Sequence, residues 1–172
     1  MAIRPILKWG HPVLHAPSEP VQAIDGSIRT LVADMIETMY AAPGIGLAAP
    51  QIGVALRVIV IDLSVGKDRS QLLSLVNPEF VAKEGEQRED EGCLSVPGYG
   101  GSLLRPARVE VKGLDLDGKE RVYTGTELLA RAFCHEIDHI DGLLFVDRLS
   151  PLKRDLLKRK LRKKSRSGDW DE

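Results

Sequence analysis

Residues 124–142 read TGTELLARAFCHEIDHIDG, and this stretch decides how the fold is read. Thr124, Gly125 and Thr126 supply chemistry for a helix start, and Gly142 is placed to end the helix after Asp141. Between them the pattern is apolar on nearly every side: Leu128 and Ala132 line one face, while Leu129, Phe133, Ile137 and Ile140 line others. A helix of that kind runs through a core rather than along a surface, and any polar group it carries needs a purpose or a partner. His135, Glu136 and His139 form the pattern H-E-x-x-H. Residues four apart in a helix differ by about 40° in direction, so both imidazoles can face one metal ion, and Glu136, about 100° from His135, sits beside it. Chance matches to so short a pattern occur, mostly in exposed helices. Burial weighs against chance here, because two histidines and a glutamate in an apolar helix each need compensation if no metal is bound.

Working outward, Ala107–Thr124 reads as a hairpin, with Val109, Val111 and Leu114 in near alternation, a turn at Asp115–Gly118, and a second strand through Val122 and Tyr123. Nearer the start, Ile28, Leu31, Val32, Met35, Ile36, Met39 and Tyr40 recur at helical spacing until Pro43-Gly44 stops the run. Leu56–Asp62 (LRVIVID) predicts a buried strand and Gln71–Pro78 a second one. Residues 84–92 (EGEQREDEG) are expected to form a solvated turn, and the Pro-rich residues 1–24 an extended arm on the surface. Helix, strands, hairpin and helix in this order predict an α+β fold, with mixed or antiparallel sheets packed around a central metal-bearing helix, rather than an alternating parallel sheet.

A chain of 172 residues favours one core, here residues 1–150, followed by a basic helix and frayed tail over residues 151–172. Hydrophobic residues at 43% and charged residues at 28% exclude a disordered or low-complexity chain. No stretch approaches the roughly 18 consecutive apolar residues of a membrane span, and the start lacks a basic-then-apolar leader, so no membrane partner is expected. Two cysteines, Cys93 and Cys134, are too few to staple the chain, which fits a reducing cytoplasm. The net charge of −1 conceals a split: residues 1–152 hold 15 Lys and Arg against 21 Asp and Glu, whereas residues 153–172 hold 9 against 4.

A catalytic metal site needs a third protein ligand and an open position. The pattern H-E-x-x-H-x-x-G-x-x-H fails, because Phe145 stands where its last histidine belongs. A glutamate some way downstream fails too, since the next one after Glu136 is Glu172. Cys134 points away from the histidines and reads as a core thiol, and His11 and His15 in the Pro-broken arm read as surface or packing residues. Cys93, in Glu91-Gly92-Cys93-Leu94-Ser95, remains. On the residues alone it is either the third ligand of a Cys-His-His site or a buried apolar cysteine. Gly44-Ile45-Gly46-Leu47-Ala48-Ala49-Pro50-Gln51 is equally open: a tight turn with a surface glutamine, or a close-approach loop with an amide aimed at a ligand.

Taken in order, GIGLAAPQ, EGCLS and HEIDH resemble the three signatures of the peptide deformylases, over roughly residues 5–150. The resemblance implies one metal ion held by Cys93, His135 and His139, usually Fe²⁺ in the cell and often Zn²⁺, Ni²⁺ or Co²⁺ in preparations. It implies hydrolysis of the formyl group from the N-terminal formylmethionine of nascent chains, with Glu136 as the general base. Gln51 and the Leu94 backbone N–H are implied as oxyanion donors, and the Ile45, Gly46 and Gly92 backbones as strand-like partners of the peptide. Two features depart from many relatives: Cys134 precedes the first histidine where Gln is frequent, and Gly98–Ser102 lacks an arginine. Asp138 is expected to brace the site by pairing with Arg105, since a carboxylate in a buried helix needs a partner. Residues 151–166 (PLKRDLLKRKLRKKSR) predict a helix with Leu152, Leu156, Leu157 and Leu161 on a narrow stripe and basic residues elsewhere. Such a surface suits a polyanion, and some bacterial relatives dock a basic C-terminal helix on the ribosome near the exit tunnel. A metallopeptidase is the rival enzyme reading, disfavoured by the missing third His or Glu. A structural metal domain on RNA is the non-enzyme one, disfavoured by the lack of a fourth ligand.

Overall fold

The computed structural model describes residues 1–170, in an α+β arrangement of three α-helices and seven strands. Helix α1 spans Gly26–Ala41, with the Asp25 carboxylate accepting from the Ser27 and Ile28 N–H groups. Strands β1 (Gly46–Ala48), β2 (Val58–Ile61), β3 (Leu73–Glu84), β6 (Arg108–Leu114) and β7 (Glu120–Thr126) form one sheet in the order β1-β2-β3-β6-β7, every pair antiparallel. Strands β4 (Gln87–Cys93) and β5 (Val96–Arg105) form a separate antiparallel ribbon. Helix α2 spans Glu127–Ile140 and helix α3 Pro151–Ser167.

The five-stranded sheet lies between α1 and α2, which explains why LRVIVID is apolar without alternation. Val58 and Val60 of β2 pack with Leu31, Val32, Met35 and Met39 of α1. Ile59 and Ile61, pointing the other way, pack with Phe133, Ile137 and Ile140 of α2. A third apolar cluster joins the β4–β5 ribbon to the end of the chain: Val96 and Leu103 of β5 meet Phe145, Val146 and the α3 residues Leu157 and Leu161.

Several expectations need correction. Residues 84–92 are not a solvated turn, because only the bend around Gly85 turns and Gln87 onward is strand β4. Its charged side chains are mostly exposed while its backbone is paired along β5 from Gln87↔Arg105 to Gly92↔Gly100, so ladder hydrogen bonds hold it without an apolar pattern. Strand β3 does not stop at Pro78. A register shift between Val76 and Glu79 carries it past the proline, which has no N–H to give, with Asn77 at φ 53°. The surface arm contains a single 3₁₀ turn, Pro12–His15, whose Leu14 is fully buried. Thr126 stands at the N-cap of α2 without making a side-chain cap bond. On α3 only Leu157 and Leu161 dock, while Leu152 and Leu156 are 71% and 50% exposed. Of the expected frayed tail, Asp171 and Glu172 lie outside the described residues.

Candidate active site and metal centre

Helix α2 brings His135 and His139 onto one face, and the end of β4 brings Cys93 to meet them. The three ligating atoms lie within 4.8 Å of one another. Cys93 Sγ is 3.3 Å from His139 Nε2, which is 3.2 Å from His135 Nε2. Two imidazole nitrogens and a sulfur converging this closely have no full set of protons to share. One soft cation satisfies all three, and thiolate with two imidazoles suits a divalent transition metal. The surroundings of His135 favour positive charge, since the opposing effect of burial is outweighed by the Glu136 carboxylate and Cys93; a bound cation would supply that charge in place of a proton on the ring. Burial, with the positive His135 beside it, keeps His139 neutral, the form in which imidazole ligates. Cys134, by contrast, is a buried thiol pushed up to about 11 by its surroundings. His11 caps the 3₁₀ turn and His15 is exposed, and neither joins this cluster.

Glu136 is buried next to His135, and its Oε1 has no hydrogen-bond partner. An orphaned carboxylate oxygen in a cleft is an acceptor waiting for a ligand. Burial pushes its carboxyl up to about 7, against the pull of His135. Gly46 makes room for it, because a Cβ there would stand 2.5 Å from Glu136 Oε2 and 3.1 Å from its Cγ.

Gln51 is buried, which settles the choice left open by its motif against a surface side chain. Its Oε1 accepts from the Ala48 N–H at 3.0 Å, while Nε2 donates to Ser95 Oγ at 3.1 Å and lies 3.7 Å from Cys93 Sγ. Ser95 N–H in turn donates to Cys93 Sγ at 3.4 Å. One amide thus links the β1 loop to the β4–β5 turn, where Leu94 sits.

The expected Asp138–Arg105 pair is present at 2.7 Å, and it belongs to a larger network. Arg105 also reaches both oxygens of Glu91, at 2.8 and 3.1 Å, and Glu91 Oε1 lies 2.9 Å from His135 Nδ1. Arg148 closes the far side on Asp138 at 2.9 Å. Burial raises the Glu91 carboxyl, but hydrogen bonds from His135 and Arg105 overcome it and hold the group down at about 2. An ionised Glu91 fixes the His135 ring with Nδ1–H donating and Nε2 free for the metal. Sequence reasoning left Glu91 and Arg148 without a role. Glu91 stands inside EGCLS, but the surrounding acidic run masked it.

A cleft of about 600 Å³ opens onto this centre. Its walls are Gly44, Ile45 and Gly46 on one side, Glu91, Gly92 and Cys93 on the other, and α2 at the back. Strand β1 is the edge of its sheet, paired only with β2. The Ile45 carbonyl is engaged by the Asp62 N–H, so alternation along the strand turns the Gly46 backbone groups outward to the cleft.

The polypeptide deformylase family model matches residues 3–155. The chain belongs to this family. It is 51% identical over 170 residues to the peptide deformylase of Acidobacterium capsulatum, covering 99% of this chain and 100% of that one. Against the peptide deformylase of Thermodesulfovibrio yellowstonii identity is 51%, over 95% and 99% of the two chains. The crystal structure of a peptide deformylase from Legionella pneumophila superposes with a TM-score of 0.89 at 50% identity, covering 97% and 98% of the two chains. The enzyme is therefore a metal-dependent hydrolase that removes the N-terminal formyl group from nascent polypeptides.

Proposed function

We propose that Cys93, His135 and His139 hold one divalent metal ion and that Glu136 is the general base for deformylation. The observation that carries this is the unpartnered Oε1 of Glu136 beside three converging ligand atoms. A bound divalent ion would acidify a water and polarise the formyl carbonyl. Glu136, buried with an open Oε1, would take the proton from that water and hand it to the departing amine nitrogen. Gln51 Nε2, anchored through one N–H on Ser95, has its longer 3.7 Å contact to sulfur to trade for an oxyanion, and the Leu94 N–H is assigned as the second donor. Gly46 and Gly92, with Ile45 beside them, receive the peptide backbone as an added strand, which reads peptides with little sequence preference.

Fe²⁺ is the physiological ion in this reading, with Zn²⁺, Ni²⁺ or Co²⁺ able to occupy the same donors. The cytoplasm is the site of action in this reading, as two free thiols suit a reducing compartment. Residues 151–166 dock on the ribosome, supported by basic residues along most of the exposed surface of α3. The decisive experiment is formate release from formyl-Met-Ala-Ser by anaerobically purified protein of measured metal content. Glu136→Gln with metal retained and turnover lost supports the assignment, while Glu136→Gln with full turnover overturns it.

A further inference from the structure

Arg131 lies one helical turn before His135 on α2 and lines the same cleft as Gly92, Cys93 and Glu136. The residue is half-buried, and its Nε is shielded from water with no acceptor. Arg105 and Arg148, at the same end of the fold, are committed to Glu91 and Asp138. Among the described residues nothing takes a hydrogen bond from Arg131 or pairs with its charge. A guanidinium carries five donors and stays charged at any working pH. Drawing it out of water without an acceptor costs free energy that an incoming anion relieves.

We propose that Arg131 is a specificity-determining residue that selects an acidic side chain at the third position of the formylated peptide. The inference rests on the substrate pose described above. A peptide added as a strand against Gly46 and Gly92 sends alternate side chains to the same face, about 7 Å apart. With the formyl carbon beside Glu136, the first side chain meets the apolar Ile45 and, on α2, Ala132 next to the turn that carries the ligands, which suit methionine. The second side chain points away, and the third returns to the α2 side, where Arg131 stands. The other ionisable groups lining the cleft include Asp90, Glu91, Glu136, Cys93 and His135, the last two taken up by the metal cluster. Glu91 is tied up by Arg105 and His135, and Glu136 belongs to the reaction. Asp90 is exposed on β4, where solvent screens it more strongly than the half-buried Arg131.

The test uses C-terminally amidated formyl-Met-Ala-Glu, formyl-Met-Ala-Gln and formyl-Met-Ala-Lys with the full metal-loaded chain, reading kcat/KM from formate release. The glutamate peptide should exceed the lysine peptide by about tenfold at low ionic strength, with glutamine between and the gap shrinking in salt. In Arg131→Leu that ratio should fall to near one, in Arg131→Lys it should keep its sign, and in Arg131→Glu it should invert. Comparing peptides within each variant cancels any general loss of activity. Formyl-Met-Glu-Ala and formyl-Met-Lys-Ala amides should show no dependence on Arg131. A wild-type enzyme indifferent to charge at position three, or an Arg131→Leu variant with the wild-type ratio, overturns the proposal. Failure of the wild type to release formate from the glutamine peptide would overturn the deformylation site itself.

Discussion

Helices α2 and α3 are of similar length and both carry charged side chains among apolar ones, yet they do opposite things with that charge. On α2, nine of fourteen residues are buried, and Asp138 finds Arg105 and Arg148 while His135 finds Glu91. On α3 only Leu157 and Leu161 are buried, and basic side chains face outward apart from pairs such as Lys158 with Asp147 at 2.8 Å. The difference shows where charge has energetic consequence. A buried polar group without its partner costs several times more than a solvated one, so α2 has neighbours for Asp138 and His135 while Glu136 Oε1 and His139 Nδ1 stay unanswered at the centre. Removing a charge from α3 returns it to water that was already there.

The comparison can be broken most severely at the ligands. Cys93→Ala, His135→Ala and His139→Ala should each lose bound metal and formate release together, as elemental analysis alongside the assay would show. Glu136→Gln should keep its metal while turnover falls about 10²–10⁴-fold. Gln51→Ala should lower kcat on the order of 10²-fold, more than it raises KM, because a donor aimed at an oxyanion acts mainly in the transition state. An effect confined to KM would make Gln51 a binding residue. Next comes Glu91→Gln, which leaves Arg105 and the His135 N–H with a weaker acceptor. A loss of about 10- to 100-fold in metal affinity or activity is expected, measured by chelator competition. The smallest effects belong to α3. Leu152→Gln and Leu156→Gln should each change stability by less than about 0.5 kcal/mol in urea unfolding, against about 2–5 kcal/mol for Leu161→Ala. Replacing Arg159, Lys160 and Lys163 by Glu should leave hydrolysis of a short formyl peptide unchanged while abolishing salt-sensitive co-sedimentation with ribosomes. Equal sedimentation of both forms would remove α3 from ribosome docking.

The same contrast explains what the sequence disclosed. Helix α2 was legible because its side chains decide its position, and the burial of Phe133, Ile137 and Ile140 left an unmistakable pattern around His135 and His139. The convergence of Cys93 with His135 and His139 was legible too, through three short motifs rather than one. Strand β4 was hidden, since its stability comes from backbone pairing to β5 and its residues 87–92 look like any charged loop. With β4 concealed, Glu91 could not be recognised as the partner of His135, although Asp138 and Arg105 were paired correctly from the cost of a buried carboxylate. Helix α3 was visible as a helix, but helical spacing alone could not tell that Leu152 and Leu156 face water.

The bridge made by Gln51 between the β1 loop and the Cys93–Ser95 turn bears on timing. It ties one wall of the cleft to the other, so their spacing is held, and in the proposed strand-like pose a chain must enter extended. An N-terminus already wound into a helix or paired into a sheet would be the wrong shape whatever its sequence. The enzyme then works against a clock set by its clients: a formyl group is removable only until the first few residues fold, and fast-folding amino termini should escape with the formyl group still attached.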